Sequence, residues 1–242
     1  MARTVAIVGV PTSAGAYAPG QEQAPAALRA AGLVEGLRRA GLEVDDHGDR
    51  DPWRWRPDRE DRRGQNLAAV VEIVGETTVR VGEAAVPGAI TLTLGGDCTV
   101  GIGAVAGHVA SSERVGLLYF DTHADLNVPD SVHEGALDWM GMAHMLDEAG
   151  ARPELASAGG RSPLLHPEQV VLFGFGPEQA TEFEREAISR REIATVAVDE
   201  VAADPEAAAA RALGLLEPRC DRLLVHFDVD VVDVVDFTDT PL

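Results

Sequence analysis

Short apolar runs alternate along the chain with longer stretches rich in Ala, Leu and Glu. The runs are β-branched and lack a regular polar alternation, which is typical of strands buried on both faces of a sheet. Strand and helix patterns that alternate in this way favour a parallel sheet covered by helices on each side. The sequence therefore predicts an α/β fold of three layers, α/β/α, with a central, mainly parallel sheet whose strands lie at residues 4–10, 89–95, 115–121, 169–176 and 221–230.

The stretches between these runs predict helices, the first of which opens at Pro25, a residue suited to a first helical turn. Two polar segments, 49–66 and 155–168, predict loops. The first mixes Trp, Arg, Asp and Pro and is either an ordered surface excursion or a flexible loop. We predict a single domain over residues 1–242. The predicted helices lie at residues 23–41, 66–85, 99–110, 139–149, 177–189 and 205–215.

The charge balance narrows the classes of partner. The chain has 20 basic and 40 acidic residues, which gives a formal charge of −20. Such a surface repels phosphate backbones and anionic lipids, so we expect neither a nucleic acid nor a membrane as partner. Only two cysteines occur, Cys98 and Cys220, too few for a disulfide scaffold. The first apolar run is shorter than a signal-peptide core, and a cytoplasmic location is expected.

Polar residues of metal-ligand type follow two of the predicted strands. Asp121, His123 and Asp125 follow one, and Asp228 and Asp230 follow another. The carboxyl ends of parallel strands meet at one edge of a sheet, and residues two apart in an extended segment point the same way. Each motif alone is weak, since a D-x-H-x-D segment is more often a turn with a satisfied histidine. Together they predict a pair of divalent ions bridged by carboxylates, with Mn²⁺ favoured by the oxygen-rich set.

Three ordered motifs resemble those of the arginase/agmatinase ureohydrolases. The segment "GGDCTVGIGAVAGHV" resembles the family's G-G-D-H-S segment, "DTHADLN" its D-A-H-x-D motif, and "HFDVDVVD" its S-F-D-x-D-x-x-D motif. The N-terminal "GVPTSAGAYAPGQEQAPAALRAAGL" resembles the family's first strand, Gly-rich loop and P-x-x-L-R helix. The resemblance spans the chain and is nearest to the arginase branch, although the C-terminal end of the family fold is expected to be absent.

The resemblance implies a hydrolase with two Mn²⁺ ions that cleaves a C–N bond of a guanidino or amidino compound and releases urea. Arginine or an arginine-related compound is the expected substrate, and a trimer or hexamer is the expected assembly. Asp121 and Asp228 would bridge the ions. Asp125 would complete one ion's ligands and contact the attacking hydroxide, while His123 and Asp230 would complete the other's.

Cys98 stands where the family usually has a metal-ligand histidine. A thiolate there would favour Zn²⁺ or Fe²⁺ over Mn²⁺, whereas a neutral thiol would leave one ion weakly held, and a small buried cysteine beside a one-metal site is a further alternative. Asp97 and Asp233 are expected to support the ligands or nearby loops.

The loop "LNVPDSVHEGALDWMGM" aligns without a gap on the family's substrate loop. The resemblance implies that Asn127 and Glu134 occupy substrate-binding positions. Asp138 stands at the position of the proton-shuttle histidine, and His133 is an alternative carrier if the loop bends, or else a lone surface histidine.

A second hypothesis is a metal-depleted, non-catalytic homologue that serves as a binding or regulatory subunit, since Cys98 and Asp138 both replace family histidines. A third, a carboxylate-rich phosphatase, is disfavoured by the charge of −20 and by the lack of a basic phosphate-holding cluster near the motifs.

Overall fold

The computed structural model of the chain describes residues 3–111 and 114–232. Their contacts divide them into two units, the first formed by residues 3–111 and 128–164 and the second by residues 114–127 and 165–232. The expectation of one domain over the whole chain stays a prediction.

Three parallel strands form the sheet of the first unit, in the order β2-β1-β3. Strand β1 is Thr4–Gly9, β2 is Glu43–Asp49 and β3 is Ile90–Leu94. The apolar side chains of β1 are buried, as its sequence predicts, and Val5 and Ile7 pack against the helical residues Leu33, Val34 and Leu37. Strand β3 is mostly half-buried, so the prediction that it is fully buried was wrong. The sequence pattern missed β2, whose residues "EVDDHGD" are polar and mostly exposed, because an edge strand needs no apolar face.

Six helices of the first unit are described, and two of them match their predicted bounds within two residues. Helix α3 is Leu67–Ala84 and α4 is Val100–Val109. The two helices pack closely at Gly103, where a Cβ atom would lie only 2.7 Å from the carbonyl oxygen of Val74. The others are α1 (Ala24–Ala30), α2 (Leu33–Arg39), α5 (Gly141–Met145) and α6 (Pro153–Ala156).

Two predicted helices of this unit were wrong in extent. The helix predicted over 23–41 breaks at Gly32, which has a φ of 88° and separates α1 from α2. The helix predicted over 139–149 is a 3-10 turn at Leu137–Met140 followed by the short α5. A left-handed residue, Asp147, follows it with a φ of 50°.

The polar segment 49–66 is an ordered excursion, the first of its two predicted alternatives. The backbone N–H of Trp53 donates to the carbonyl of Pro11, and the N–H of Ser13 donates to the carbonyl of Trp53. The side-chain amide of Asn66 donates to the carbonyl of Ala14. These bonds fasten the segment to the Gly-rich loop after β1.

Four parallel strands form the sheet of the second unit, in the order β6-β5-β4-β7. Helices lie against it, with Val171, Phe173, Val196, Ala212 and Leu216 in the shared core. Short β6 was not predicted, since four residues carry too little pattern. The strands are β4 (Val115–Phe120), β5 (Val170–Phe175), β6 (Ala194–Ala197) and β7 (Arg222–Phe227), and the helices are α7 (Glu182–Arg191), α8 (Val198–Ala203) and α9 (Pro205–Leu216).

The burial of strand β7 differs from the prediction. Its residues alternate between half-buried and exposed, where the sequence predicted full burial. Leu223, Val225 and Phe227 are exposed, and Leu224 and His226 are half-buried. Within the described part of the chain β7 pairs with β4 alone and is an edge strand, and its alternating burial shows that one of its faces is exposed. In the described ranges, every helix is too short or too polar to cross a membrane.

A buried histidine in the first unit predicts a pH dependence of stability. His144 is fully buried in α5, with Nδ1 at 2.6 Å from the carbonyl oxygen of Met140. Burial lowers its pKa from 6.5 to about 4. The unfolded chain therefore takes up this proton at a higher pH than the folded chain does, and stability falls as the pH falls from about 6.5 toward 4.

We expect the wild type to lose about 1 kcal/mol more unfolding free energy than a His144→Gln variant between pH 7.5 and 5.5, because the glutamine does not titrate. Urea denaturation at both pH values measures the difference. Equal pH slopes for the two proteins would contradict the assignment.

Candidate metal centre

The register of β4 and β7 sets two aspartates side by side. Phe120 lies opposite Phe227 in this parallel pair, so the next residues of both strands emerge at the same end. The backbone N–H of Asp228 donates to the carbonyl of Phe120 at 2.9 Å, and the N–H of Asp121 donates to the carbonyl of Phe173 at 3.1 Å. Ladder hydrogen bonds thus hold both aspartates beyond the last strand residues.

Asp121, His123 and Asp230 form a first group of potential metal ligands. One ligand atom from each lies within 4.8 Å of the other two. Nδ1 of His123 is 2.8 Å from Oδ2 of Asp230 and 3.4 Å from Oδ1 of Asp121. The backbone N–H of His123 also donates to Asp121 at 2.7 Å.

Asp121, His226 and Asp228 form a second group, again with one ligand atom from each within 4.8 Å of the others. Oδ1 of Asp121 faces His123 of the first group, while its Oδ2 is 3.8 Å from Nε2 of His226. The two oxygens of one carboxylate thus face two different imidazoles. This is the arrangement expected of a carboxylate shared between two ions.

His226 was not among the sequence-predicted site residues. It lies within the apolar run of β7, where a histidine is usually read as part of the core. Two signals could have found it: it lies two residues before Asp228 in a strand, and it takes the place of serine in the family's S-F-D-x-D-x-x-D motif.

Asp125 joins the same neighbourhood through a tyrosine. The hydroxyl of Tyr119 donates to Oδ2 of Asp125 at 2.5 Å, and the ring of Tyr119 stacks on that of His226 with centroids 4.2 Å apart. Asp125 is buried and has a φ of 50°. The segment therefore bends and is not extended as the spacing argument assumed. Thr122, which lies between Asp121 and His123 in the sequence, also donates a hydrogen bond from its hydroxyl to Asp230, at 3.1 Å.

The charges at this site are strongly interdependent. Burial raises the pKa of Asp121, and the nearby negative charges of Asp228 and Asp230 raise it further. The hydrogen bond from His123 acts in the opposite direction but does not cancel the rise. Hydrogen bonds to Asp121 and then to Asp230 raise the pKa of His123 to about 11. The pKa of Asp230 is lowered: burial acts to raise it, but the hydrogen bond from His123 lowers it. Burial lowers the pKa of His226. One imidazolium thus partly neutralises a cluster that a metal cation would neutralise more fully.

Two of the predicted residues lie in the first unit, in the turn before α4. Cys98 is half-buried there. Asp97 is buried and accepts hydrogen bonds from the N–H of Gly15 at 3.0 Å and from the N–H and hydroxyl of Thr99. Burial raises its pKa. Asp97 therefore holds the Gly-rich loop after β1, in agreement with a supporting role. Asp233 lies outside the described residues.

The predicted catalytic and substrate residues are spread along the loop after the D-x-H-x-D segment. Asn127 is buried in the second unit, where its side-chain oxygen accepts a hydrogen bond from Thr181 at 3.0 Å. Asp138 is buried in the first unit, and its N–H donates to the carbonyl of Gly15. His133 and Glu134 are exposed neighbours. Their predicted roles stay predictions.

The sequence model of the arginase family matches residues 3–238. The chain belongs to the arginase family. It is 34% identical to the arginase of Bacillus caldovelox over 174 residues, which cover 71% of this chain and 58% of that protein. It is 31% identical to human arginase-1 over 174 residues, which cover 71% of this chain and 54% of that protein. The chain therefore spans less than two thirds of the length of these arginases.

The solved arginase of Bacillus caldovelox has the same fold as this chain. The two superpose with a TM-score of 0.85 at 29% identity, covering 97% of this chain and 78% of the arginase. Together with the parallel sheets and their flanking helices, this similarity confirms the predicted three-layer α/β/α fold class. The family resemblance drawn from the three motifs is confirmed as well.

The clustered carboxylates predict that metal binding stabilises the fold. At Mn²⁺ in hundredfold excess over its Kd, linkage adds about 2.7 kcal/mol to the free energy of unfolding. We expect a rise in melting temperature of roughly 5–10 °C in the wild type and little or none in Asp121→Asn, because Asp121 belongs to both ligand groups.

Differential scanning calorimetry with and without Mn²⁺ measures both shifts. Asp221→Asn serves as the matched control, since Asp221 is an exposed aspartate just before β7, at the opposite end of the strand from Asp228. The control should keep the wild-type rise. An undiminished rise in Asp121→Asn would contradict the assignment of the cluster.

Proposed function

We propose that this chain is a hydrolase that uses two divalent cations, Mn²⁺ first among them, to cleave a C–N bond of a guanidino or amidino compound with release of urea. Arginine or an arginine-related compound is the proposed substrate, because the relatives that match the chain at 31–34% identity are named arginases. One observation carries the proposal: two groups of ligand atoms share a single buried carboxylate, that of Asp121.

The donor set supports a pair of ions of this class. Carboxylate oxygens with some imidazole suit Mn²⁺ and similar cations. Asp121 and Asp228 would hold both ions, His123 and Asp230 would complete the ligands of one ion, and Asp125 would complete those of the other. On sequence alone, Cys98 is a further proposed ligand. When bound, such a pair would lower the pKa of a water molecule toward neutrality and so supply a nucleophile at pH 7.

Protein groups would orient and protonate the reactants. Tyr119, which donates to Asp125, holds that carboxylate in one orientation, in which Asp125 would contact the attacking hydroxide through a hydrogen bond. Asp138 or His133 is the proposed carrier of the proton that the leaving amine takes. Asn127 and Glu134 are the proposed substrate-binding residues, by their alignment with the family's loop.

A urea-release screen over guanidino compounds, with Mn²⁺, Fe²⁺ and Zn²⁺ supplied in turn, tests the activity. We expect urea from arginine or an arginine-related compound with the wild type and with Asp221→Asn, and a loss of at least a hundredfold in Asp121→Asn, because the variant removes a proposed bridge between the ions. Elemental analysis runs alongside. Less than one metal per chain and no urea from any compound would instead favour the non-catalytic homologue.

The thiol of Cys98 generates a separate prediction. If it binds a cation, Cys98→His should raise the affinity for Mn²⁺ relative to Zn²⁺ by at least tenfold, because imidazole replaces a softer thiolate. Competitive titration with a chromophoric chelator measures the ratio. Cys220→Ser is the matched control, since Cys220 is the other half-buried cysteine. An unchanged ratio in Cys98→His would exclude the thiolate ligand.

A further inference from the structure

His226 is held in place by the strand pairing and by an aromatic ring. Parallel pairing of β4 with β7 sets it opposite Tyr119, and the two rings stack with an interplanar angle of 14°. Only 16% of its side chain is exposed. Both its backbone and its ring plane are therefore restrained, as metal ligands in proteins generally are.

The outer nitrogen of this ring has an unusual environment. Nε2 is buried and has no hydrogen-bond partner among the described residues. Oδ2 of Asp121 lies 3.8 Å from it. This distance is too long for a hydrogen bond, which needs about 3 Å between the heavy atoms. A buried polar atom left in this state calls for an explanation.

A shared cation explains the spacing. Imidazole nitrogens and carboxylate oxygens bind divalent transition metals at about 2.0–2.2 Å, so two ligands of one ion lie about 3–4 Å apart. Nε2 of His226 and Oδ2 of Asp121 fall within that range, and a ligand atom of Asp228 lies within 4.8 Å of both. The other oxygen of Asp121 lies 3.4 Å from Nδ1 of His123, so the two imidazoles face different oxygens of this carboxylate.

We propose that His226 is a metal ligand and donates Nε2 to the same cation as Asp121 and Asp228. The proposal rests on the metal centre of the proposed function and adds a residue to it, at a position where the family motif carries serine. The centre then has an imidazole on each ion, His123 on one and His226 on the other. His226 supplies the nitrogen ligand that the sequence lacks at Cys98.

The replacement of the ligand is the direct test. In His226→Ser, which restores the family's motif residue, we expect the affinity for one of two Mn²⁺ ions to fall at least tenfold, measured by equilibrium dialysis with elemental analysis. His226→Gln is expected to behave in the same way and has a side chain closer in size. His144→Gln is the matched control, because His144 is also buried with an unpartnered Nε2 but lies in α5 of the first unit. The control should bind both ions with wild-type affinity.

A spectroscopic measurement tests the bond itself. Electron spin-echo modulation from Mn²⁺-loaded protein reports nitrogen bound to the ion. We expect modulation from two imidazoles in the wild type, from one in His226→Ser and from one in His123→Asn. Loss of all imidazole modulation in His123→Asn would overturn the proposal even if the His226 variants failed to fold.

The outcomes separate this inference from the proposed function. A wild type that binds two ions, with unchanged affinity and modulation in both His226 variants, overturns the ligand role and leaves the hydrolase proposal standing. A wild type that binds none of Mn²⁺, Fe²⁺ and Zn²⁺ overturns both.

Discussion

The close approach of several carboxylates at one end of the β4–β7 pair is the constraint on which the second unit depends. Asp121 and Asp228 are adjacent because the parallel register of the two strands makes them so, and Asp230 follows in the turn that Asp228 caps. Their mutual repulsion is stronger than on an open surface because Asp121 is buried. The imidazole of His123 offsets part of it. A cation at this position would therefore act on stability as well as on chemistry.

Adjacent residues of β4 make different contacts on the two faces of the sheet. Phe120 packs edge-on against Phe173 and Phe227, with centroids 4.9 Å and 5.4 Å away, and so fastens the central strand to both neighbours. Tyr119, on the opposite face, stacks on His226 and donates to Asp125. Successive side chains of a strand point to opposite faces of the sheet, so Phe120 packs between the strands while the adjacent Tyr119 contacts the candidate metal centre. A change in strand register would therefore misplace the ligands.

Sequence patterns predicted the buried strands and the long helices well, because full burial leaves a strong signal. Strands β1, β4 and β5, and helices α3, α4 and α9, lie close to their predicted positions. Strand β2 was missed because its polar edge carries no such signal, and the break at Gly32 depends on a backbone angle that composition does not reveal.

The sequence predicted which residues of the candidate site lie near one another better than it predicted how they are arranged. Asp121, His123 and Asp230 come together as their strand ends indicate. The expected extended geometry does not hold at Asp125, however, because that residue has a φ of 50°. His226 was missed because an apolar strand around a histidine suggests core packing, and only the register opposite Tyr119 reveals where its ring lies. Long-range pairing decides such positions, and it leaves little trace in a local pattern.

The candidate metal centre and the proposed substrate contacts come from parts of the chain with different mechanical properties. The described ligand groups stand at the ends of strands or in the turns that follow them, where ladder hydrogen bonds restrict their movement. The proposed substrate residues lie on a loop, and His133 and Glu134 are exposed there. Loops tolerate substitution more readily than paired strands do. An imidazole at position 226 in place of serine is therefore the more demanding change, since it needed a stacking partner and room beside a bridging carboxylate. The buried Nε2 of His226 differs from the equally unpartnered Nε2 of His144 in one respect, because it faces the carboxylate of Asp121, as a ligand of a shared ion requires.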